Sequence, residues 1–362
     1  MMRVTADGFG SPPTPPGEER VAPPHRAVLP SAVPGAPADP DRDSRAARLV
    51  DVVVPVFNKR EFLEASLGSI LQAAESSRLA RVTVVDHGST DGSLELGAAL
   101  CYGRARHVVM RGGTIAALRN AGARDSDRPI LCFIDADCVV TPGYFEALCR
   151  VLADPAIAAT GRRVDYPADG VWIERTWHEM HRSTSDGFRN YLNSGNLAVR
   201  REVFEHVGGF DETLTTGEDS ELGQRLNARG YRIWESADLA VLHLDNPRTI
   251  RGFFRKEVWH GRNLLATARI WPPHLPLISV VLHALCLGAA AFWLLEGTGT
   301  LGRRLAVAFV LAFAVPVLAV LYRALPRRRR VAWVPAAVLY QTYLLARIAA
   351  LASTMKRWRQ RR

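Results

Sequence analysis

Cysteine is scarce in this 362-residue chain: there are five, Cys101, Cys132, Cys138, Cys149 and Cys286, an odd number with no C-x-x-C pair. Neither a disulfide framework nor a zinc site is supported by that pattern, and reduced thiols in a cytosolic compartment are the expectation. The N-terminus has no basic start followed by an apolar h-region, which argues against a cleaved signal peptide. No G-x-G-x-x-G follows the first apolar run, and "RGGTIA" comes later with the wrong spacing, so a dinucleotide oxidoreductase is disfavoured. Acidic residues end at Glu296, whereas 13 of the 46 Lys and Arg lie from Arg303 onward. The other 33 basic residues face 36 acidic ones, so the net charge of +10 belongs to the tail.

That tail alternates arginine clusters with long apolar runs, the pattern of membrane spans and their cytoplasmic flanks rather than of a nucleic-acid groove. Residues 275–295 and 305–322 are each long enough, at about 1.5 Å rise per residue, to cross a hydrocarbon core about 30 Å thick. A third apolar segment, residues 331–352, carries Gln341 and Thr342 and meets Arg347. If it crossed, the basic tail "KRWRQRR" would lie opposite "RALPRRRR", against the positive-inside tendency, so an interfacial or re-entrant helix is favoured. Before the spans, residues 249–273 mix aromatics with Arg and Lys, which suits a helix at the headgroup level. An ordinary surface helix packed on the preceding domain satisfies the same pattern. Residues 1–47 are dense in Pro, Ala, Gly and charge, and read as a disordered arm.

From Leu49 to about residue 248 the texture is that of a globular domain. Short β-branched runs ("LVDVVVPV", "RVTVVD", "HVVM", "ILCFID") alternate with helical patterns, which predicts an α/β fold with a mostly parallel sheet. Asn58, with Glu61 three residues later, reads as the cap of the first helix, and Thr141 and Pro142 as the start of another. In open sheets of this kind ligands bind at the carboxyl ends of strands. Asp86, Asp135 and Asp137 fall at such ends.

Asp135 and Asp137 pose an electrostatic problem, since like charges one residue apart oppose joint ionisation unless a positive partner lies between them. A D-x-D pair at a strand end can share a hard divalent cation that also holds substrate phosphates.

The order of "VVVPVFNKREFLEASLGSIL", "VTVVDHGSTDGS", "ALRNAGA", "ILCFIDADCVV", "NSGNLAVRREVFEHVGGFDE" and "GEDSELGQRLNARGYRIW" resembles family 2 glycosyltransferases of the GT-A, Rossmann-like fold, over roughly Leu49 to His243. The resemblance implies a membrane-anchored enzyme with the catalytic domain on the cytoplasmic side of the cell membrane. Its expected partners are a nucleotide-sugar donor, with a UDP-sugar favoured, a glycan or lipid-linked acceptor and membrane lipids. Nucleic acid is not among them. By the same resemblance Pro55, Val56, Phe57, Asn58 and Asp86 hold the base and ribose, although His87 stands where a second acid is usual. Arg119 and Asn120 match an Arg-Asn step that meets the diphosphate. Asp135, Ala136 and Asp137 form the motif facing ribose and metal, with Mn2+ or Mg2+ implied. His243 matches a position that in some relatives adds a metal ligand, and imidazole suits Mn2+ better than Mg2+; a histidine satisfied within the core explains the residue equally well.

The acids of "GEDSEL" match the family's catalytic motif, with Asp219 as the base for an inverting transfer and Glu218 orienting it or the acceptor. A helix N-terminus enriched in acids to suit its dipole is the plainer reading of the same residues. Asn196, in "NSGNLAVRR", and Trp259, in "RKEVWHG", would lie on the acceptor side. The latter stretch keeps the Trp of the Q-x-x-R-W motif of processive synthases but lacks its Gln and Arg, so single-sugar transfer is expected. The rival reading is a membrane-anchored protein that binds nucleotide sugars without turning them over.

Overall fold

A computed structural model describes residues 49–162, 165–167, 169–181, 185–265, 275–325 and 332–360, with side chains to residue 355. The Pro-rich arm, part of the interfacial segment and the arginine cluster at 327–330 lie outside the described residues.

In chain order the globular part comprises β1 (Val50–Val56), α1 (Arg60–Ser77), β2 (Ala80–Asp86), α2 (Ser93–Cys101), β3 (Arg106–Val109), α3 (Ile115–Arg124), β4 (Ile130–Ile134), β5 (Cys138–Val140) and α4 (Tyr144–Val151). There follow β6 (Ala159–Gly161), α5 (Trp172–His181), β7 (Gly187–Arg189), β8 (Asn196–Arg200), α6 (Arg201–Val207), α7 (Glu218–Ala228), β9 (Ile233–Glu235), β10 (Val241–His243) and α8 (Ile250–His260). Three long apolar helices close the chain: α9 (Leu275–Glu296), α10 (Leu301–Ala324) and α11 (Trp333–Gln360).

Eight strands form one sheet in the order β3-β2-β1-β4-β8-β6-β9-β7. The pairs β1–β2, β1–β4, β2–β3 and β6–β9 are parallel, while β8 runs antiparallel to both β4 and β6. This is the mostly parallel sheet that the alternating texture predicts, and it agrees with the GT-A fold that the resemblance implies. The strand period of two explains how β1 buries both faces. Val50, Val52, Val54 and Val56 join Leu63, Leu67, Ile70 and Leu71 of α1 in one core layer, and Val53 joins Phe133, Phe204 and Leu222 in the other. Each fully buried aliphatic side chain contributes about 1.5–3 kcal/mol, so these two layers fix the sheet against its helices.

Two helix starts differ from the sequence expectation. Asn58 adopts a left-handed backbone with φ 52° and does not cap α1. The β2–α2 loop and the first residue of α2 cap it instead: Asp91 Oδ2 accepts from the Arg60 N–H at 3.0 Å and Ser93 Oγ from the Lys59 N–H at 2.8 Å. The second helix begins at Tyr144 after Gly143 in the left-handed region, so Thr141 and Pro142 belong to the turn before it.

Helices α9, α10 and residues 333–355 of α11 are long and apolar enough to cross a membrane. Leu285, Phe292, Leu295, Phe309 and Val310 are exposed on α9 and α10, an arrangement suited to lipid rather than water. The third segment is one unbroken helix. Along it Ala336 and Tyr340 pack with Met180 of α5 and Val320 of α10, and Leu339 packs with Ile173 of α5 and Phe253 of α8. A buried ion pair, Arg347 Nη2 to Glu257 Oε2 at 2.7 Å, joins α11 to α8. Just after α8, a Cβ at Gly261 would come within 2.7 Å of Ala350 Cβ, so only glycine permits this approach.

Candidate active site

At the carboxyl ends of β1 and β2 the backbone builds a small cradle. The left-handed turn at Asn58 aims its side chain at the β2–α2 loop, where Oδ1 accepts from the Thr90 N–H at 2.9 Å. The Asn58 N–H donates to Ser89 Oγ at 3.0 Å. Asp86 ends β2 wholly buried, and its Oδ1 accepts from the N–H groups of Gly88 and Ser89, each at 2.7 Å. Its Oδ2 is buried without a partner, which is costly unless a donor arrives from outside. Phe57 is 52% exposed, with its ring 5.2 Å from that of His87, edge to face. Pro55 and Val56 pair with Val85 and Asp86 as the last rungs of the ladder below this cradle.

The D-x-D carboxylates find separate cations. Asp135 Oδ1 accepts from Arg119 Nη2 at 2.6 Å. Burial opposes ionisation of Asp135, but the charge and hydrogen bond of Arg119, together with His243 and Lys59, hold the carboxyl below its usual range. Its backbone N–H bonds the Gly195 carbonyl at 3.2 Å, and a Cβ at Gly195 would lie 2.6 Å from Asp135 Oδ2. Asp137 is buried, with Oδ2 at 2.5 Å from Lys59 Nζ and Oδ1 at 3.4 Å from His243 Nε2. Lys59 Nζ also reaches Asp245 Oδ2 at 2.6 Å. Burial alone would lower the ammonium's pKa, yet Asp137 and Asp245 together raise it above its ordinary value. Between the two acids, Ala136 is buried and its carbonyl accepts from Ser66 Oγ.

His243 arrives through the two-stranded antiparallel ladder of β5 and β10, whose register sets His243 opposite Cys138. The Leu244 N–H donates to the Asp137 carbonyl at 2.8 Å and locks that register. Burial pushes the His243 imidazole below its ordinary value, against the pull of Asp137 and Asp135, and its Nδ1 is buried without a partner. One ligand atom from each of Asp137, Cys138 and His243 lies within 4.8 Å of the others. Burial raises the Cys138 thiol well above its usual value, so the carboxylate and the imidazole are the effective donors. The Asp137 carboxylate oxygen and the His243 Nε2 that faces it are a hard oxygen and an imidazole nitrogen, a donor set that fits a divalent cation such as Mn2+.

Arg119 connects the two acid motifs. It is 2% exposed; Nη1 donates to Glu218 Oε1 at 2.7 Å while Nη2 holds Asp135, and its Nε is buried without a partner. Glu218 also accepts from Ser194 Oγ at 3.2 Å. Glu218 and Asp219 open α7 after Gly217, which takes φ 80°, and the positive end of the helix dipole faces both carboxylates. Burial first, and then the negative Glu218, push Asp219 up to about 7, against the backbone N–H groups of Ser220 and Ser194 and the charge of Arg119.

The remaining candidates stand apart from these acids. Asn120 clamps the "GGFDE" loop: Nδ2 donates to the Phe210 carbonyl at 2.8 Å and to Glu212 Oε1 at 2.9 Å, while Oδ1 accepts from the Phe210 N–H at 3.0 Å. Asn196 lies in the core, bonded to Tyr144 OH at 2.5 Å and to the Leu239 carbonyl at 2.6 Å. Trp259 is exposed on α8 beside His260, whose carbonyl accepts from Thr216 Oγ1 at 3.4 Å, three residues before Asp219. Lys59 and Asp245 join the site without having been singled out from sequence. Lys59 follows Asn58 and Asp245 lies two residues after His243, but the two acids that Lys59 meets, Asp137 and Asp245, lie 78 and 186 residues from it, separations no local pattern encodes.

Comparison with known proteins places the chain in a family. A sequence family described as glycosyl transferase family 2 matches residues 51–208, and glycosyl transferase family group 2 matches residues 130–350, more than half of the chain. The glycosyltransferase AglE of Haloferax volcanii is 29% identical over 206 residues, 55% of this chain and 67% of its own. The pre-mycofactocin glycosyltransferase of Mycobacterium tuberculosis is 28% identical over 271 residues, which cover 71% of this chain but 54% of the relative. Among solved structures, a mannosyltransferase from Pyrobaculum calidifontis, in complex with GDP-Man and Mn2+, superposes with a TM-score of 0.53 at 20% identity. The match covers 85% of this chain and 87% of that one, and shares the fold.

Proposed function

The chain belongs to glycosyl transferase family 2, and on that premise we propose that it moves a sugar from a nucleotide-sugar donor to a hydroxyl of a glycan or lipid-linked acceptor, with inversion at the anomeric carbon. The observation that carries this reading is the Arg119 strut. One buried guanidinium bridges Asp135 of the D-x-D motif and Glu218, the residue before Asp219, which supports the two acid motifs acting as one site.

Asp219 takes the proton of the acceptor hydroxyl while that oxygen bonds to the anomeric carbon; the bond from that carbon to the diphosphate breaks, and a nucleoside diphosphate departs. A base works best when its pKa lies near the operating pH, as the value of about 7 for Asp219 allows. Arg119 keeps its positive charge next to the departing diphosphate while it orients the two acids. Asp86 Oδ2 waits for a donor such as the imide N–H of uracil, which supports a UDP-sugar, with the Phe57 ring available to cover the base. Asp137 and His243, with Asp135 beside them, would hold a divalent cation that supplies positive charge to the leaving diphosphate.

In this reading α9 and α10 span the cell membrane, and α11 lies at its cytoplasmic face as the bracket between the catalytic domain and the spans. The packing of α11 on both α5 and α8 supports that placement. The acceptor then enters at membrane level near Trp259, and the missing Gln and Arg of the processive motif favour one sugar per acceptor.

The test is transfer by the detergent-purified protein across UDP-, GDP- and dTDP-sugars with Mn2+, with product configuration read by NMR. Inversion and the addition of a single sugar are expected, and loss of Asp219 as Asn should cost about 10²–10⁴-fold. Retained configuration, or a fully active Asp219→Asn protein, would refute the reading.

A further inference from the structure

Lys59 is out of place by local rules. It is the N-cap residue of α1, where the helix dipole repels a cation, and its side chain makes no cap bond. The side chain instead crosses to Asp137 and Asp245, on two segments far away in sequence. Asp137 is thereby divided: Oδ2 belongs to the ammonium and Oδ1 faces His243. A divalent ion bound between Asp137 and His243 would sit within a few ångströms of Nζ, and like charges at that range repel strongly. Asp245 offers a second place for the ammonium, because it already holds Nζ at 2.6 Å and its side chain is 48% exposed at the mouth of the site.

We propose that Lys59 is a tethered cation that keeps Asp137 neutralised in the donor-free enzyme and yields it to the metal ion only when the nucleotide diphosphate arrives. The inference rests on the reading of Asp137 and His243 as the metal-holding pair. In the free site the ammonium competes with the ion. With a diphosphate present, Lys59 turns toward the new negative charge while remaining near Asp245, and the ion takes the vacated oxygen. Metal and donor therefore bind cooperatively, and Lys59 is a positioning residue that acts through Asp137.

The test titrates Mn2+ into the full-length protein in detergent, following the EPR signal of free Mn2+, without nucleotide and then with UDP or GDP. The wild type is expected to bind Mn2+ weakly alone and at least about tenfold more tightly with one of the nucleotides, within the usual range of coupling between sites. Lys59→Met is expected to bind Mn2+ alone about tenfold more tightly than wild type, with most of the nucleotide enhancement gone. Lys59→Gln, which keeps a polar side chain, should behave like Lys59→Met, and Lys59→Arg like wild type. Unchanged or weaker Mn2+ binding in both neutral variants overturns the inference while leaving the metal site standing. Absence of bound Mn2+ in every form, even with nucleotide, overturns the metal-site reading and the inference with it.

Discussion

The protonation of Asp219 gives the sharpest test of the site. Burial and the neighbouring Glu218 lift this carboxyl from an ordinary 3.8 to about 7. A base must be deprotonated to act, so kcat/KM should rise with pH through about 7 and level off above it. At pH 6 roughly a tenth of the plateau should remain, and at pH 5 roughly a hundredth, because one pH unit below the midpoint leaves about one base in ten ionised. With an ordinary carboxylate the profile would be flat over that range. Glu218→Gln removes the negative neighbour but leaves Arg119 on Asp135, and should move the midpoint toward acid by roughly one pH unit. Stability should respond with the opposite sense. A carboxyl whose pKa is raised on folding favours the native state below its unfolded value and loses that contribution as pH rises through the folded one. Asp219→Asn should therefore gain thermal stability relative to wild type between pH 4 and pH 8, by at most about 4 kcal/mol for three pH units of displacement. A wild-type profile flat from pH 5 to 8, or an acid limb unmoved by Glu218→Gln, would refute this account of the base.

Other expectations follow from the buried polar contacts. Arg119→Met strands Asp135 and Glu218 and should cost about 3–5 kcal/mol in thermal stability, while Arg119→Lys restores the charge without the fork that spans both acids and should rescue little. Asn196→Ala leaves Tyr144 OH and the Leu239 carbonyl without their partner and should lower stability by about 1–3 kcal/mol for each group left unpaired. If thermal stability is unchanged and only the acceptor KM rises, Asn196 is an acceptor contact after all. Arg347→Met leaves Glu257 buried and unpaired and should sharply accelerate thermal inactivation. A single reactive cysteine added at the C-terminus of a cysteine-free variant should label from the side of the catalytic domain; labelling from the other side would show that α11 crosses.

Much of this protein could be read from one dimension. Alternation of β-branched runs with helical periodicity specified the sheet class, because a strand's period of two and a helix's 3.6 are local properties of the chain. The apolar lengths of the last 90 or so residues specified helices long and apolar enough to cross a membrane, for the same kind of reason. Asp135 and Asp137 announced a cation by their mutual repulsion, and Asp86, Arg119, Glu218, Asp219 and His243 were visible in their motifs. Only the tertiary structure decided who neutralises whom. Asp135 takes Arg119 and Asp137 takes Lys59, pairings made by strands and helices that meet after the chain has crossed the sheet several times. Asn58 is a clasp for the β2–α2 loop rather than the expected helix cap, since Asp91 and Ser93 accept from the N–H groups at the start of α1. Asn196, one motif position among others in the sequence, proved to be sealed in the core by Tyr144. Local patterns name the residues that carry charge, and long-range packing chooses their partners, since the energy of a buried charge depends on what lies within a few ångströms of it, whatever the separation along the chain.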